Sequence, residues 1–211
     1  MTESPLPVAV LVSGSGSNLQ ALLDDPGRGL DFAICSVISD RPNVTALDRA
    51  QDAGVETVVV PWSDFDSRET FTTAICDAAL GSGALGLVLA GFMRILSQTA
   101  MEHFPDAIIN VHPALLPAFP GAHAVENALV HRVAITGVTV HFVDEQVDHG
   151  PIIAQEAVGV RPDDDVASLH ERIQAVEHRL LPKVVGAFGR GLLTVHDRYV
   201  RWEDESEEGV D

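Results

Sequence analysis

The feature that most constrains this chain is an abrupt change of pattern near its start. Residues 6–12 form an unbroken apolar run, and Ser13-Gly14-Ser15-Gly16-Ser17-Asn18 comes at once after it. Leu19, Ala21, Leu22 and Leu23 then recur at helical spacing. A short apolar stretch, a glycine loop and a 3.6-residue period read as buried strand, tight turn and helix. Units of this kind build α/β proteins whose sheet is covered on both faces. The alternation continues: strands are expected at residues 32–38, 56–60, 85–90 and 107–111, and helices at 44–53, 68–80 and 97–103. Gly54 suits the C′ position of the second helix, and Ser67 can cap the third. Strands alternating with helices argue a parallel sheet made of right-handed crossovers.

After residue 112 the pattern changes. Residues 133–143 and 152–160 read as two strands joined through Gly150-Pro151, an antiparallel addition. Residues 166–188 carry a long helical pattern in which Pro182 is expected to kink or divide the helix, and 192–195 suggest a last short strand. The fold class is therefore α/β: a single doubly wound, mostly parallel sheet with helices on both faces and an antiparallel late strand. One domain is expected over residues 1–202, with an acidic, flexible tail over 203–211.

The 211 residues hold 13 Lys+Arg against 31 Asp+Glu, a formal net charge of −18. That charge repels phosphate backbones and anionic bilayers, so neither nucleic acid nor a membrane is expected as a partner. No apolar run reaches membrane-span length, and no signal-peptide pattern opens the chain, so a cytoplasmic location is expected. Cys35 and Cys76 sit in apolar surroundings and read as buried filler.

Two places carry polar chemistry. At the glycine loop, backbone N–H groups and the positive end of a helix dipole converge, which suits an anion. The competing reading is a tight turn with Ser17 as helix cap. A dinucleotide fingerprint would need a glycine where Leu19 stands, so a monophosphate ester fits better than a nicotinamide dinucleotide. The second place is Asn110-Val111-His112-Pro113, at the end of the fifth strand. Alternation turns Asn110 and His112 to one face. An amide can meet a developing oxyanion, and an imidazole can exchange a proton near neutral pH. A proline-rich segment, residues 113–121, is expected to wall a pocket, and Asp148, between the two late strands, could orient His112 or take up its proton. No nucleophile elbow is present, and the histidines show no metal-ligand spacing, so no metal is expected.

These segments, together with Ala90-Gly91-Phe92-Met93-Arg94-Ile95-Leu96, Leu115-Leu116-Pro117 and Pro120-Gly121, make the chain resemble the phosphoribosylglycinamide formyltransferases, the folate-dependent family of purine biosynthesis, over residues 10–193. The resemblance implies transfer of a formyl group from 10-formyltetrahydrofolate to the amine of glycinamide ribonucleotide. It implies catalysis by Asn110, His112 and Asp148. Substrate would be bound by Gly16, Ser17, Asn18, Gln174 and Glu177, with Glu177 a partner for the substrate ammonium. The folate would lie along Met93, Arg94, Ile95 and Leu96 and the loop Asp144, Glu145, Gln146, Val147 and Asp148, with Arg68 reaching towards it and Asn110 shared. Small molecules are then the partners of a monomer or homodimer.

The chain departs from the family's common pattern at Ala114, Ala118, Phe119 and His149, all outside the triad. Methionyl-tRNA formyltransferases carry a further C-terminal domain and formyltetrahydrofolate deformylases an N-terminal one, and neither is expected here. A formyltetrahydrofolate deformylase-like hydrolase and a non-catalytic nucleotide-binding module are the alternatives.

Overall fold

The computed structural model describes residues 4–203. The acidic tail expected at 203–211 lies, apart from Glu203, outside the described residues. A nine-stranded sheet runs through the molecule in the order β3-β2-β1-β4-β5-β6-β7-β9-β8. Its parallel half consists of β1 (Leu6–Val12), β2 (Phe32–Ser39), β3 (Glu56–Val59), β4 (Gly86–Leu89) and β5 (Ile108–His112). Then β6 (Ile135–Phe142) runs antiparallel to β5, and β7 (Ile152–Gly159) antiparallel to β6. A closing hairpin, β8 (Leu193–His196) and β9 (Tyr199–Trp202), extends the sheet through Ile152 and Tyr199. The sequence shows the first of these two strands and not the second. At four residues, with Val200 its one buried side chain, β9 is too short to show a period.

Both faces are covered, and β1 shows why its sequence is apolar throughout. Val8, Val10 and Val12 belong to one core, Ala9 and Leu11 to the other. The first core lies under α1 (Ser17–Asp24), α2 (Thr45–Asp52), α5 (Ala124–Val130) and α6 (Val166–Gly189). The second lies under α3 (Arg68–Gly81) and α4 (Gln98–His103), where Trp62 and Phe65 meet the Phe71 ring edge-on. Cys76 is filler in that second core, and burial, helped by Asp77, pushes its thiol up to about 11.

Helix α6 corrects half of one expectation, the division at Pro182. Pro182 neither ends nor divides it: the helix continues to Gly189, with Leu180, Leu181, Val184 and Val185 all buried around the proline. A missing N–H and ring clash in a helix interior cost about 3 kcal/mol. Burying four aliphatic side chains is worth roughly 1.5–3 kcal/mol each, so packing wins. The helix start is specified locally by a capping box, in which Asp165 accepts from Ser168 N at 2.8 Å and Asp165 N donates back to Ser168 Oγ at 3.1 Å. Helix α5, which the sequence reading passes over, is only seven residues long and comes directly after the proline-rich segment.

The order β1-β4-β5 sets three chain segments side by side beyond the strand carboxyl ends: the glycine loop, residues 90–96, and His112 with the proline-rich segment 113–121. Strand order reverses between β1 and β4, the place where open α/β sheets form their ligand crevice.

Candidate active site

The glycine loop ends in Gly16, the N-cap of α1, at φ +72°. Ser17 is therefore the first helical residue and not the cap, which sets aside the simple capped-turn reading. No side chain caps this end, so the first-turn N–H groups stay available. Two residues from α6 close over it. Asn18 Nδ2 donates to Glu177 Oε2 at 3.0 Å, both side chains being buried, and Gln174 Nε2 donates to Ser17 Oγ at 3.4 Å. Gly16, Ser17, Asn18, Gln174 and Glu177 are thus brought together in one cluster. Asn18 Oδ1 is buried and accepts no hydrogen bond among the described residues, an open acceptor in the cluster.

The second cluster centres on Asp148. Its Oδ2 lies 3.3 Å from His112 Nδ1 and accepts from Gly121 N at 2.7 Å; its Oδ1 accepts from Asn110 Nδ2 at 3.4 Å. The loop 143–151 curls back over the sheet to achieve this, with Asp148 at φ +51°. Positive φ is tolerated best by Gly, Asn and Asp, so the turn and the acid suit each other. His112 Nε2 lies 2.8 Å from the Phe119 carbonyl, which can only accept, so that nitrogen carries a hydrogen. The imidazole therefore faces an oxygen acceptor at each nitrogen.

The sequence reading misses a fourth side chain. His141 stands opposite Asn110 in the β5–β6 register, buried, with Nε2 3.1 Å from Asn110 Nδ2 and Nδ1 2.7 Å from the Phe142 carbonyl. Burial lowers its pKa below the ordinary value. A neutral ring protonated at Nδ1 leaves Nε2 as an acceptor, which turns the Asn110 amide nitrogen towards His141 and Asp148. The available signal was an antiparallel register between residues 110 and 141, which hydrophobic pattern alone does not fix.

The loop that supplies Phe119 O and Gly121 N is fastened from behind. Thr139, fully buried, donates from Oγ1 to Ala114 O (2.7 Å) and accepts from Leu116 N (3.0 Å) and Gln155 Nε2 (2.9 Å). One donor and two lone pairs are all used. Gln155 also holds Leu116 O at 2.9 Å. Thr139 pairs with His112 in the same ladder, so loop and imidazole share one support.

The remaining expected residues are more dispersed. Met93 N donates to Ser13 Oγ at 2.8 Å, tying residues 91–96 to the glycine loop. Arg94 Nε lies 2.7 Å from Asp40 Oδ2, with its guanidinium over the Trp62 ring. Met93, Ile95 and Val147 are exposed apolar side chains, while Phe92 and Leu96 are buried. Asp144 is engaged within its own loop, accepting from Gln146 N and pairing with His149. Glu145 and Gln146 are exposed, and no hydrogen bond or ion pair joins Arg68 to these residues. No group of three or more His, Cys, Asp or Glu side chains among the described residues is arranged to hold a metal ion.

A doubly wound sheet with an uncapped helix start on one side of its crevice and an amide, imidazole and carboxylate on the other is an α/β arrangement suited to group transfer. The formyl transferase family model matches residues 6–185, and the chain belongs to that family. It is 42% identical over 196 residues to the phosphoribosylglycinamide formyltransferase of Mycobacterium tuberculosis, covering 93% of this chain and 91% of that one. It is 45% identical over 188 residues to the human trifunctional purine biosynthetic protein adenosine-3, covering 87% of this chain. The chain spans only 14–19% of the length of such trifunctional relatives. The crystal structure of glycinamide ribonucleotide transformylase 1 from Symbiobacterium toebii superposes with a TM-score of 0.92 at 42% identity, over 95% of both chains. Among the described residues no helix is long and apolar enough to cross a membrane.

Proposed function

We propose that this protein transfers the formyl group of 10-formyltetrahydrofolate to the amine of glycinamide ribonucleotide, giving formylglycinamide ribonucleotide. The carrying observation is the Asp148 carboxylate within 3.3 Å of His112 Nδ1 and 3.4 Å of Asn110 Nδ2, in a chain of the formyl transferase family.

Substrate phosphate rests on the open first turn of α1 at Gly16, Ser17 and Asn18, where N–H groups and the helix dipole favour an anion. Glu177, linked to Asn18, receives hydroxyl or ammonium donors of the substrate. Flat apolar surface beside a few fixed polar groups suits a pterin, and the exposed Met93, Ile95 and Val147 offer such a surface. The folate, when bound, supplies the formyl carbon. As the amine attacks that carbon, negative charge gathers on the formyl oxygen. His112 Nε2 then gains a charged acceptor in place of the neutral Phe119 carbonyl, and Asn110 can exchange its long bond to Asp148 for the same oxygen. Donors placed this way lower the barrier by about 3–4 kcal/mol each. Asp148 balances the imidazolium and relays the amine proton towards the leaving nitrogen.

A two-substrate assay tests this. Folate product is expected only when glycinamide ribonucleotide is present; folate turnover without it would favour the deformylase-like hydrolase, and no turnover at all the non-catalytic module.

A further inference from the structure

A cavity of about 490 Å³ opens beside the glycine loop. Ser17, Gln20, Asp24 and Asp25 line it from α1 and its end, Arg49 from α2 and His178 from α6. Arg49 belongs to none of the interactions used above. We propose that Arg49 is a substrate-binding residue that grips the phosphate ester and sets the preference for a ribonucleotide over its riboside. The proposal rests on the reading that the α1 N-terminus holds that phosphate.

Local geometry delivers Arg49 to the loop. Ala46 N donates to Gly14 O at 3.1 Å, laying α2 against the glycines. A Cβ on Gly16 would stand 2.7 Å from Ala46 Cβ and 3.4 Å from Arg49 Cδ, so the bare glycine lets the arginine stem cross it. Arg49 Nε then donates to Ser15 O at 2.9 Å, and Nη1 to Gln20 Oε1 at 2.8 Å. Two corners of the guanidinium are thereby fixed, while Nη2 has no hydrogen bond and no carboxylate pairs with the group among the described residues. A planar cation held in place with donors to spare is suited to phosphate oxygens.

Three further observations agree. The first turn of α1 has no side-chain cap, so its N–H groups and the guanidinium serve one region. Asn18, only 8% exposed, keeps Oδ1 without a donor, which a sugar hydroxyl would supply. The acidic side chains lie at the other end of α1, about 10 Å from Ser17 at 1.5 Å per residue. Gln20 bridges the two ends, donating to Asp24 Oδ1 at 2.9 Å. An anion is therefore drawn to the Ser17 end and repelled from the other.

The experiment compares glycinamide ribonucleotide with glycinamide riboside, which lacks the phosphate, in the parent enzyme and in Arg49→Gln. The expected result is a KM for the ribonucleotide raised about ten- to a hundred-fold with kcat retained, and no change for the riboside. Inorganic phosphate should inhibit the parent competitively and the variant correspondingly less. Arg49→Lys, which keeps the charge without the fork, should give a smaller loss on the ribonucleotide alone. Equal losses on both substrates would make Arg49 a brace of the loop only, and no loss would make it a bystander; either overturns the proposal. Failure of the proposed activity itself would show in the parent enzyme, before any variant is compared.

Discussion

Asn110 and His141 face each other across the β5–β6 ladder, with the amide nitrogen of one 3.1 Å from Nε2 of the other. Because His141 Nδ1 is engaged by the Phe142 carbonyl, only a neutral ring offers Nε2 as an acceptor. His141 thereby sets which end of the Asn110 amide meets Asp148. Replacing His141 with Leu is expected to lower kcat about tenfold while KM for either substrate changes little. Steady-state kinetics decide this, and an unchanged kcat would show that Asn110 needs no such partner.

The same histidine gives a pH dependence of stability. Burial holds its pKa below the ordinary value, so the unfolded chain takes up a proton that the folded chain refuses. Its contribution is complete above about pH 6.5 and is lost as the pH falls through the folded value. Thermal melting between pH 7.5 and 5 should fall less steeply for His141→Leu than for the parent. Parallel profiles would mean that other groups govern the slope.

Asp148→Asn is expected to reduce kcat by about a hundredfold or more with KM nearly constant, since the amide tolerates φ +51° but cannot balance an imidazolium. Unchanged turnover would remove Asp148 from the mechanism.

Thr139→Val leaves Leu116 N and Ala114 O without their buried partner and should destabilise the protein by about 1–3 kcal/mol. Thr139→Ser, which keeps the hydroxyl, should recover most of this in chemical denaturation. Equal effects of Val and Ser would place the cost in packing instead of hydrogen bonding.

How far the sequence alone reached depends on the range of each signal. The parallel half was legible because β1, β2 and β4 are short, mostly apolar runs closed by Gly or Asp and succeeded by a helical period. Val8 to Val12 are apolar at every position because both faces are buried. Gly16, Asn110, His112 and Asp148 were legible as candidates because they stand at loop and strand ends, where polar groups can serve chemistry, whereas Gln174 and Glu177 entered only through the family resemblance. His141 and Thr139 were not, because on an inner strand each looks like any alternating residue, and only register shows that they back Asn110 and His112. The expected division of α6 at Pro182 did not occur because its flanking leucines and valines are anchored in the core.

The most direct measurement traces a 13C label from the formyl group of 10-formyltetrahydrofolate. With both substrates present, the label should appear on the glycinamide nitrogen of the ribonucleotide, in amounts equal to the tetrahydrofolate released. Label recovered as free formate, with the ribonucleotide unmodified, would contradict the account.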